Sequence, residues 1–307
     1  MRADLSTRYL GLELANPVVV SSSPATGRRA SLLEVAAAGA GAVVLPSLFE
    51  EEFLSGDAHL DGTGDHVALL RWAKEELGIP VIGSLNATKP GSWQRIANEL
   101  VDAGADALEL NLYTLTANPL TTSAEIELDH LAAIEAVRIV TDVPLAIKLS
   151  PYYSAISHFA NQAVDAGADG LVLFNRFYAP DINMDTLEVF ADADYSTASA
   201  QRLALRWIGI LRGQLPGTSF AATSGVHSGS EVLKASLVGA DVSYVAAAVM
   251  TRGPQAIGQI LGEVDAWLTA NDYASLAEIR GKVSAAAVKD ASAYERSQYI
   301  SVLKSAW

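Results

Sequence analysis

The chain has 307 residues, half of them hydrophobic and 18% charged, which supplies the apolar material for a large core and excludes a disordered polymer. Its 35 acidic and 21 basic residues give a net charge of -14, and no basic stripe exists beyond the Arg28–Arg29 pair, so a nucleic-acid-binding surface is excluded. Cysteine is absent, which excludes disulfides, thiolate metal sites, cysteine nucleophiles and cysteine-bound iron–sulfur clusters within the chain.

The opening MRADLSTRYL has no apolar core of the signal-peptide kind, and no run approaches the ~18 apolar residues of a membrane span. With the acidic balance, this sets the expectation of a soluble, cytoplasmic protein. Residues 5–14, with Gly11 near the middle, read as a hairpin. Near-continuous apolar runs then follow at 18–23, 42–47, 81–86, 107–113, 145–150, 170–175, 219–225 and 242–247, the pattern of strands in a buried parallel sheet.

Helical patterns alternate with them at 31–39, 92–103, 124–140, 155–166, 200–211, 231–237 and 254–268. In 92–103 the apolar stripe is Trp93, Ile96, Ala97, Leu100 and Val101. His130 and His158 fall on helical patterns and read as surface or packing residues. The acidic stretch 50–65, with His59 inside it and His66 just beyond, reads as a solvated loop, and no metal site is assigned. Residues 271–307 read as a helical extension packed outside.

A short pattern, AGAGAVVL (38–45), AGADALEL (103–110), AGADGLVL (166–173) and VGADVSYV (238–245), precedes four of the strands. Its glycine ends a helix in the left-handed region and the chain turns into the next strand. Repeated βα units of this kind, eight in all, predict an α/β fold: a single-domain (β/α)₈ TIM barrel over 1–307, with the hairpin closing its amino-terminal end.

In such a barrel, chemistry sits at the carboxyl ends of the strands. The polar residues there are Ser21, Ser22, Ser23, Ser47, Ser84, Asn86, Glu109, Asn111, Lys148, Ser150, Asn175, Arg176, Thr223 and Ser224, with small residues Ala246 and Ala247 after strand eight. Lys148 lies inside an apolar strand, where a lysine is rarely buried without a partner. It reads either as an ion pair with Glu109 or as a cation aimed at an anionic ligand or reduced cofactor. Asn111 reads as a core hydrogen-bonding amide or a ligand contact. The segment SGVHSGSEVL (224–233) reads as a phosphate cradle, with Gly225 admitting close backbone approach and Ser228–Gly229–Ser230 opening a helix toward an anion; a plain turn and N-cap would use the same residues.

Taken in order, LANPVVVSSSP (14–24), SLNATKPGSW (84–93), AGADALELNL (103–112), VPLAIKLSP (143–151), the Phe174–Asn175 pair and TSGVHSGSEVLKASLVGADVSYVAAAVMTRGP (223–254) resemble the dihydroorotate dehydrogenase family, including the barrel domain of dihydropyrimidine dehydrogenase. The resemblance runs from about Leu5 to about Leu261. It implies flavin mononucleotide (FMN) across the barrel mouth. Ser21, Ser22 and Ser23 then fall beside the isoalloxazine ring. Asn86 and Asn111 match flavin or substrate amides, with Asn175 beside them, and Lys148 matches the lysine at the pyrimidine edge. Ser224–Gly225 and Ala246–Ala247 match the two phosphate turns, where family members usually carry Gly-Gly and Gly-Thr or Gly-Ser.

The chain departs from the family at the substrate. Pro46 stands where a lysine is usual, and Glu50, Glu51 and Glu52 replace an Asn-rich loop. The base loop reads NLYTLT, so Thr114 occupies the base position and Thr116 replaces an asparagine. The Asn-Ser pair after strand six becomes Asn175–Arg176, and Arg176 suits a carboxylate or other anion. The resemblance therefore implies a flavin oxidoreductase acting on CH–CH bonds of a small dihydropyrimidine-like or anionic substrate. Thr114 would be its base, Lys148 the stabiliser of the reduced ring, and a second copy or an electron-transfer subunit a partner. Two rivals use the same residues: a non-redox lyase or isomerase working through Lys148 on a phosphorylated substrate, and a flavin-binding subunit without catalysis of its own.

Overall fold

The computed structural model describes residues 2–49, 66–86, 93–112, 114–176, 179–191, 194–295 and 297–305. The acidic stretch 50–65, with Glu50, Glu51, Glu52 and His59, lies outside them, as do residues 87–92 and Tyr113. A hairpin comes first, β1 (Thr7–Tyr9) and β2 (Leu12–Leu14). The barrel strands are β3 (Val18–Val20), β4 (Ala42–Val44), β6 (Val81–Asn86), β7 (Ala107–Asn111), β8 (Leu145–Leu149), β9 (Gly170–Leu173), β12 (Ser219–Ala222) and β13 (Val242–Val245). All pair in parallel, and β4 bonds to both β3 and β6, which closes the ring. A two-residue strand, β5 (Leu48–Phe49), extends the pairing along the carboxyl end of β6.

The helices between strands are α1 (Arg29–Ala37), α2 (His66–Glu76), α3 (Trp93–Asp102), α4 (Ser123–Val140), α5 (Ile156–Asp165), α6 (Gln201–Gln214) and α7 (Gly229–Val238), followed by α8 (Ala247–Arg252), α9 (Gln255–Ala270) and α10 (Ser297–Ser305). Each barrel strand is buried on both faces, so its apolar run hides a period of two. On β7, Leu108 and Leu110 pack outward with the helices while Ala107 faces the barrel interior; on β8, Leu145, Ile147 and Leu149 face outward and Ala146 inward. Inside, small residues (Ala42, Ala107, Ala146, Ala221) make room for Tyr9, Leu10 and Leu14 of the hairpin and for Tyr244. The hairpin thus plugs the amino-terminal end, as expected: the Thr7 hydroxyl donates to the Asp241 carbonyl at 2.9 Å and the Leu10 N–H to Ser219 Oγ at 3.0 Å.

Three elements escape the sequence reading. Helix α2 buries Leu69, Leu70 and Ala73. A second hairpin, β10 (Pro180–Asn183) and β11 (Glu188–Ala191), protrudes between β9 and α6 with Ile182, Met184, Leu187 and Val189 exposed. The short α8 follows β13. The expected helical extension is corrected: over 271–296 the described chain is turns and two 3₁₀ segments, and only α10 is an α-helix. Its backbone makes short-range turn bonds and also bonds to other elements. Gly281, Val283 and Ala285 donate to the carbonyls of Ser236, Leu237 and Gly209, and Gly281 takes a left-handed φ of 73°.

Candidate functional site

The inward residues climb from apolar to polar toward the carboxyl end. On β6 they run Ile82, Ser84, Asn86; on β7 Ala107, Glu109, Asn111; on β8 Ala146, Lys148. Register aligns the layers: Ile82 with Ala107, Ser84 with Glu109, Asn86 with Asn111, and Asn111 with Lys148. The Asn175 amide, two residues past β9, donates to Asn111 Oδ1 at 2.6 Å. Four buried side chains from four neighbouring strands thus converge on one cavity of about 460 Å³, within the roughly 300–1,000 Å³ usual for small-molecule sites.

Lys148 is almost fully buried, and its Nζ lies 3.6 Å from Oε1 of Glu109, whose carboxylate is wholly buried near the Tyr244 hydroxyl with no partner at normal hydrogen-bond geometry among the described residues. The ion pair and the ligand-facing cation are therefore one arrangement, since Lys148 also lines the cavity. Asn86 is buried with Oδ1 unpartnered, an unmet acceptor at the cavity wall. Below, the Tyr244 hydroxyl meets that of Tyr9 at 3.1 Å. Burial first, then the neighbouring Tyr9 and Glu109, push its pKa well above the usual phenol range, so it stays protonated. On the other side, Ser22 Oγ accepts from the Ser47 N–H at 3.0 Å and Ser47 Oγ lies 2.8 Å from Ser84 Oγ, a serine chain linking β3, β4 and β6.

The loop after β12 carries Ser224 and Gly225, both at φ 71°. Gly225 is required: a Cβ there would stand 2.7 Å from the Gln201 nitrogen and 2.8 Å from the Thr197 carbonyl. Its N–H donates to Ser196 Oγ at 3.1 Å, and the Ser196 carbonyl lies 2.6 Å from His227 Nε2, which ties the segment 194–196 across the cavity. Opposite, Ala246 caps α8, and the first-turn N–H groups of that helix have no intrahelical partner.

Of the residues singled out from the sequence, Ser21, Ser22, Ser23, Asn86, Asn111, Lys148, Asn175, Arg176, Ser224, Gly225, Ala246 and Ala247 line this cavity. Thr114 and Thr116 do not; Thr116 is exposed and Thr114 half-buried. The helix-opening half of the expected phosphate cradle is corrected. Ser228 N–H and Oγ donate to the Glu231 carboxylate at 2.8 and 2.7 Å, and Gly229 N–H to that of Glu263 at 2.6 Å. The protein's own carboxylates hold that helix end, and a second anion would meet like charge. Arg176 is likewise engaged, by the Asp194 carbonyl and by its carboxylate at 3.2 Å.

Ser47, read as a strand-end polar residue, and Phe174, part of the motif that carries the resemblance, also line the cavity, whereas sequence reasoning missed Asp194, Ser196 and Tyr244 as wall residues. For Tyr244 the signal was the strand period; for Asp194 and Ser196, brought in by a long loop, none existed. It also missed His130 as a polar partner: buried in α4, it has Nε2 3.2 Å from Thr114 Oγ1 and Nδ1 2.7 Å from the Tyr153 hydroxyl. Burial lowers its pKa to about 4 against the opposing pull of Asp129.

The family model for dihydroorotate dehydrogenase matches residues 63–268. A putative dihydroorotate dehydrogenase A (fumarate) of Aeropyrum pernix is 30% identical over 221 residues, 69% of this chain and 70% of the relative. The catalytic subunit of dihydroorotate dehydrogenase B (NAD(+)) of Pyrococcus abyssi is 26% identical over 90% of this chain and 98% of its own. An isopentenyl-diphosphate delta-isomerase of Vibrio campbellii is 26% identical over 80% and 74%. With a ring of buried amides and one lysine at the barrel mouth, and two thirds of its length under that family model, the chain belongs to the dihydroorotate dehydrogenase family.

Proposed function

We propose that this protein is an FMN-dependent oxidoreductase acting on a CH–CH bond of a small dihydropyrimidine-like or anionic substrate, in cytoplasmic pyrimidine metabolism. The observation that carries it is the convergence of Asn86, Asn111, Lys148 and Asn175 on one cavity, with the buried Asn86 Oδ1 lacking any partner among the described residues. An unmet buried acceptor costs stability unless a ligand donor satisfies it, as a flavin ring N–H would. FMN fits the donor set. Ser21, Ser22, Ser23 and Asn86 would hold the ring, and Lys148 its pyrimidine edge. The Ser224–Gly225 turn and the backbone N–H groups at Ala246–Ala247 would hold the phosphate, the Gly225 N–H exchanging its bond to Ser196 Oγ for a phosphate oxygen. When bound, the flavin supplies a two-electron acceptor.

The chain's residues do the rest. Lys148 places a cation, balanced from below by Glu109, where negative charge grows during the reaction. Asn111 and Asn175, locked to each other, present amides to a cyclic amide substrate. Thr114 takes the substrate proton, and Thr116 and Arg176 border the substrate subsite. No Gly-x-Gly-x-x-Gly motif follows a strand, so the electron acceptor is assigned to a quinone, fumarate or a partner protein. The partner, a second copy or an electron-transfer subunit, is assigned to the exposed apolar residues of the β10–β11 hairpin; sedimentation equilibrium tests it.

Absorbance of the purified protein, followed by anaerobic titration with dihydropyrimidines, tests the function. A yellow protein bleached by one of them supports it. A protein that stays colourless with added FMN removes it. A second reading, a non-redox isomerase of a phosphorylated substrate, is favoured by the likeness to a relative named as an isomerase. A flavin-bound protein that no substrate bleaches would instead be a subunit without catalysis.

A further inference from the structure

We propose that His130, oriented by Tyr153, is the positioning residue that accepts the hydroxyl proton of Thr114 and so makes that threonine a working base. This rests on the oxidoreductase reading above. A threonine hydroxyl is a poor base unless a neighbour removes its proton. Nothing in the base-loop sequence supplies one, but the fold does. Thr114 follows the cavity residue Asn111 by three positions, just beyond the cavity lining, with Oγ1 3.2 Å from His130 Nε2. The other ring nitrogen lies 2.7 Å from the Tyr153 hydroxyl. Three separate elements are thus in line: the loop after β7, helix α4 and the loop after β8. The nucleophile–base–orienter logic of other enzymes has the same order.

The imidazole is fixed. It packs edge-on against Tyr153, at 5.8 Å and 73°, and against Phe159, at 6.2 Å and 72°; Tyr153 in turn stacks on Phe159 at 4.0 Å. The charged groups that bear on it are Asp129, its neighbour on α4, and Glu127, which acts on Tyr153. Burial keeps the resting imidazole neutral, and the Asp129 carboxylate favours the imidazolium that forms in the step. Burial also keeps Tyr153 protonated, and a hydroxyl can accept Nδ1–H as readily as it donates. The step balances as follows. The substrate C–H bond breaks and its proton goes to Thr114 Oγ1 as the threonine's own proton moves to His130 Nε2. The imidazolium then donates Nδ1–H to Tyr153. The electron pair left behind forms the substrate's new double bond as the adjacent carbon's C–H bond breaks and its hydrogen leaves as hydride, which the bound flavin would accept as the two-electron oxidant.

A purely structural contact would use the opposite tautomer, with Nε2–H donated to the threonine oxygen. Nitrogen-15 NMR of the imidazole in the whole protein at neutral pH separates the two without any turnover. The expected result is a protonated Nδ1, an acceptor Nε2, and an Nε2 resonance that moves in Thr114→Val. A protonated Nε2 in the unaltered protein overturns the proposal. In the flavin-loaded enzyme, His130→Gln is expected to lower kcat about 100-fold with KM within about threefold. Tyr153→Phe should lower it less, and Thr114→Ser should retain what Thr114→Val loses. A His130→Gln enzyme of unchanged melting temperature and kcat within twofold also overturns it. If the protein takes up no flavin, the oxidoreductase reading fails, and the tautomer still decides whether the Thr114–His130 contact runs toward the histidine.

Discussion

Replacing Lys148 by methionine isolates the ion pair beneath the cavity. The Glu109 carboxylate is wholly buried, has no partner at normal hydrogen-bond geometry among the described residues, and has the ammonium of Lys148 3.6 Å away. At that separation an effective dielectric of about 20 gives an attraction of about 5 kcal/mol, which offsets the cost of stripping water from both groups. Lys148→Met removes the attraction and leaves the carboxylate's desolvation cost in place, so the folded state should lose about 3–5 kcal/mol. Glu109→Met should do the same by stranding the ammonium. The double variant, two flexible apolar chains of similar volume, should lose about 2 kcal/mol or less, far below the sum of the singles. Urea unfolding of the flavin-free protein, followed by circular dichroism and tryptophan fluorescence, reads all three, with constant m-values showing that the same surface unfolds. A Lys148→Met protein within about 1 kcal/mol of the parent, or a double variant at the sum of the singles, would refute the pairing.

Asn86→Leu should hold or raise the melting temperature, because it removes an unmet buried acceptor, while weakening FMN binding about tenfold in a fluorescence titration. Gly225→Ala should cost about 2–4 kcal/mol in urea unfolding, since the left-handed backbone penalty adds to a Cβ standing 2.7 Å from a backbone nitrogen. His130 titrates near 4 in the folded protein against an ordinary value of 6.5, so the unfolded chain binds the proton first. Its contribution is constant above pH 6.5, and stability then falls as pH drops toward 4, by about 3 kcal/mol at most; His130→Gln should flatten that part of the curve. Asp194→Asn removes the carboxylate charge from beside Arg176 while leaving the contact to its backbone carbonyl, and should tighten binding of an anionic pyrimidine over a neutral one by calorimetry.

The barrel was legible because its strands repeat one chemistry. Eight apolar runs separated by helical patterns admit little but a closed parallel ring, and the polar residues that interrupt those runs mark the ends where a ligand can sit. Asn86, Asn111 and Lys148 were readable because each breaks an apolar strand at an inward position. Helix α2 was not, since its His66–Glu76 sequence directly follows the acidic stretch and carries Arg71, Lys74, Glu75 and Glu76 on its outer side. The cradle at Ser228–Gly229–Ser230 misled because a capping box and an anion site share a sequence; what separates them here is Glu263, brought in from α9. The ion pair of Arg176 could not be read either, because its partner Asp194 lies on a loop with no periodicity to read. His130 could not be seen as Thr114's neighbour from sequence, since a helical histidine shows no target until the loop after β7 folds onto it.

Charge balance follows a single pattern across the site. The buried cation, Lys148, has its carboxylate one layer deeper, on the adjacent strand, at the level where Ser84 and Glu109 lie side by side. The cation at the mouth, Arg176, has its carboxylate on the crossing segment. Each positive charge is therefore matched before any ligand arrives, and neither amide of the Asn111–Asn175 pair is charged. A substrate that brought its own negative charge would have to displace Asp194, which is mostly exposed, rather than Glu109, which is sealed beneath the cavity floor. The exchangeable partner lies at the mouth and the fixed one below, so in the proposed reaction anion selectivity would be set by Arg176 and Asp194 while Lys148 would keep its charge for the flavin edge. Under that proposal Asp194, absent from every strand-end motif, would govern which substrate enters without disturbing the residues that carry the family resemblance.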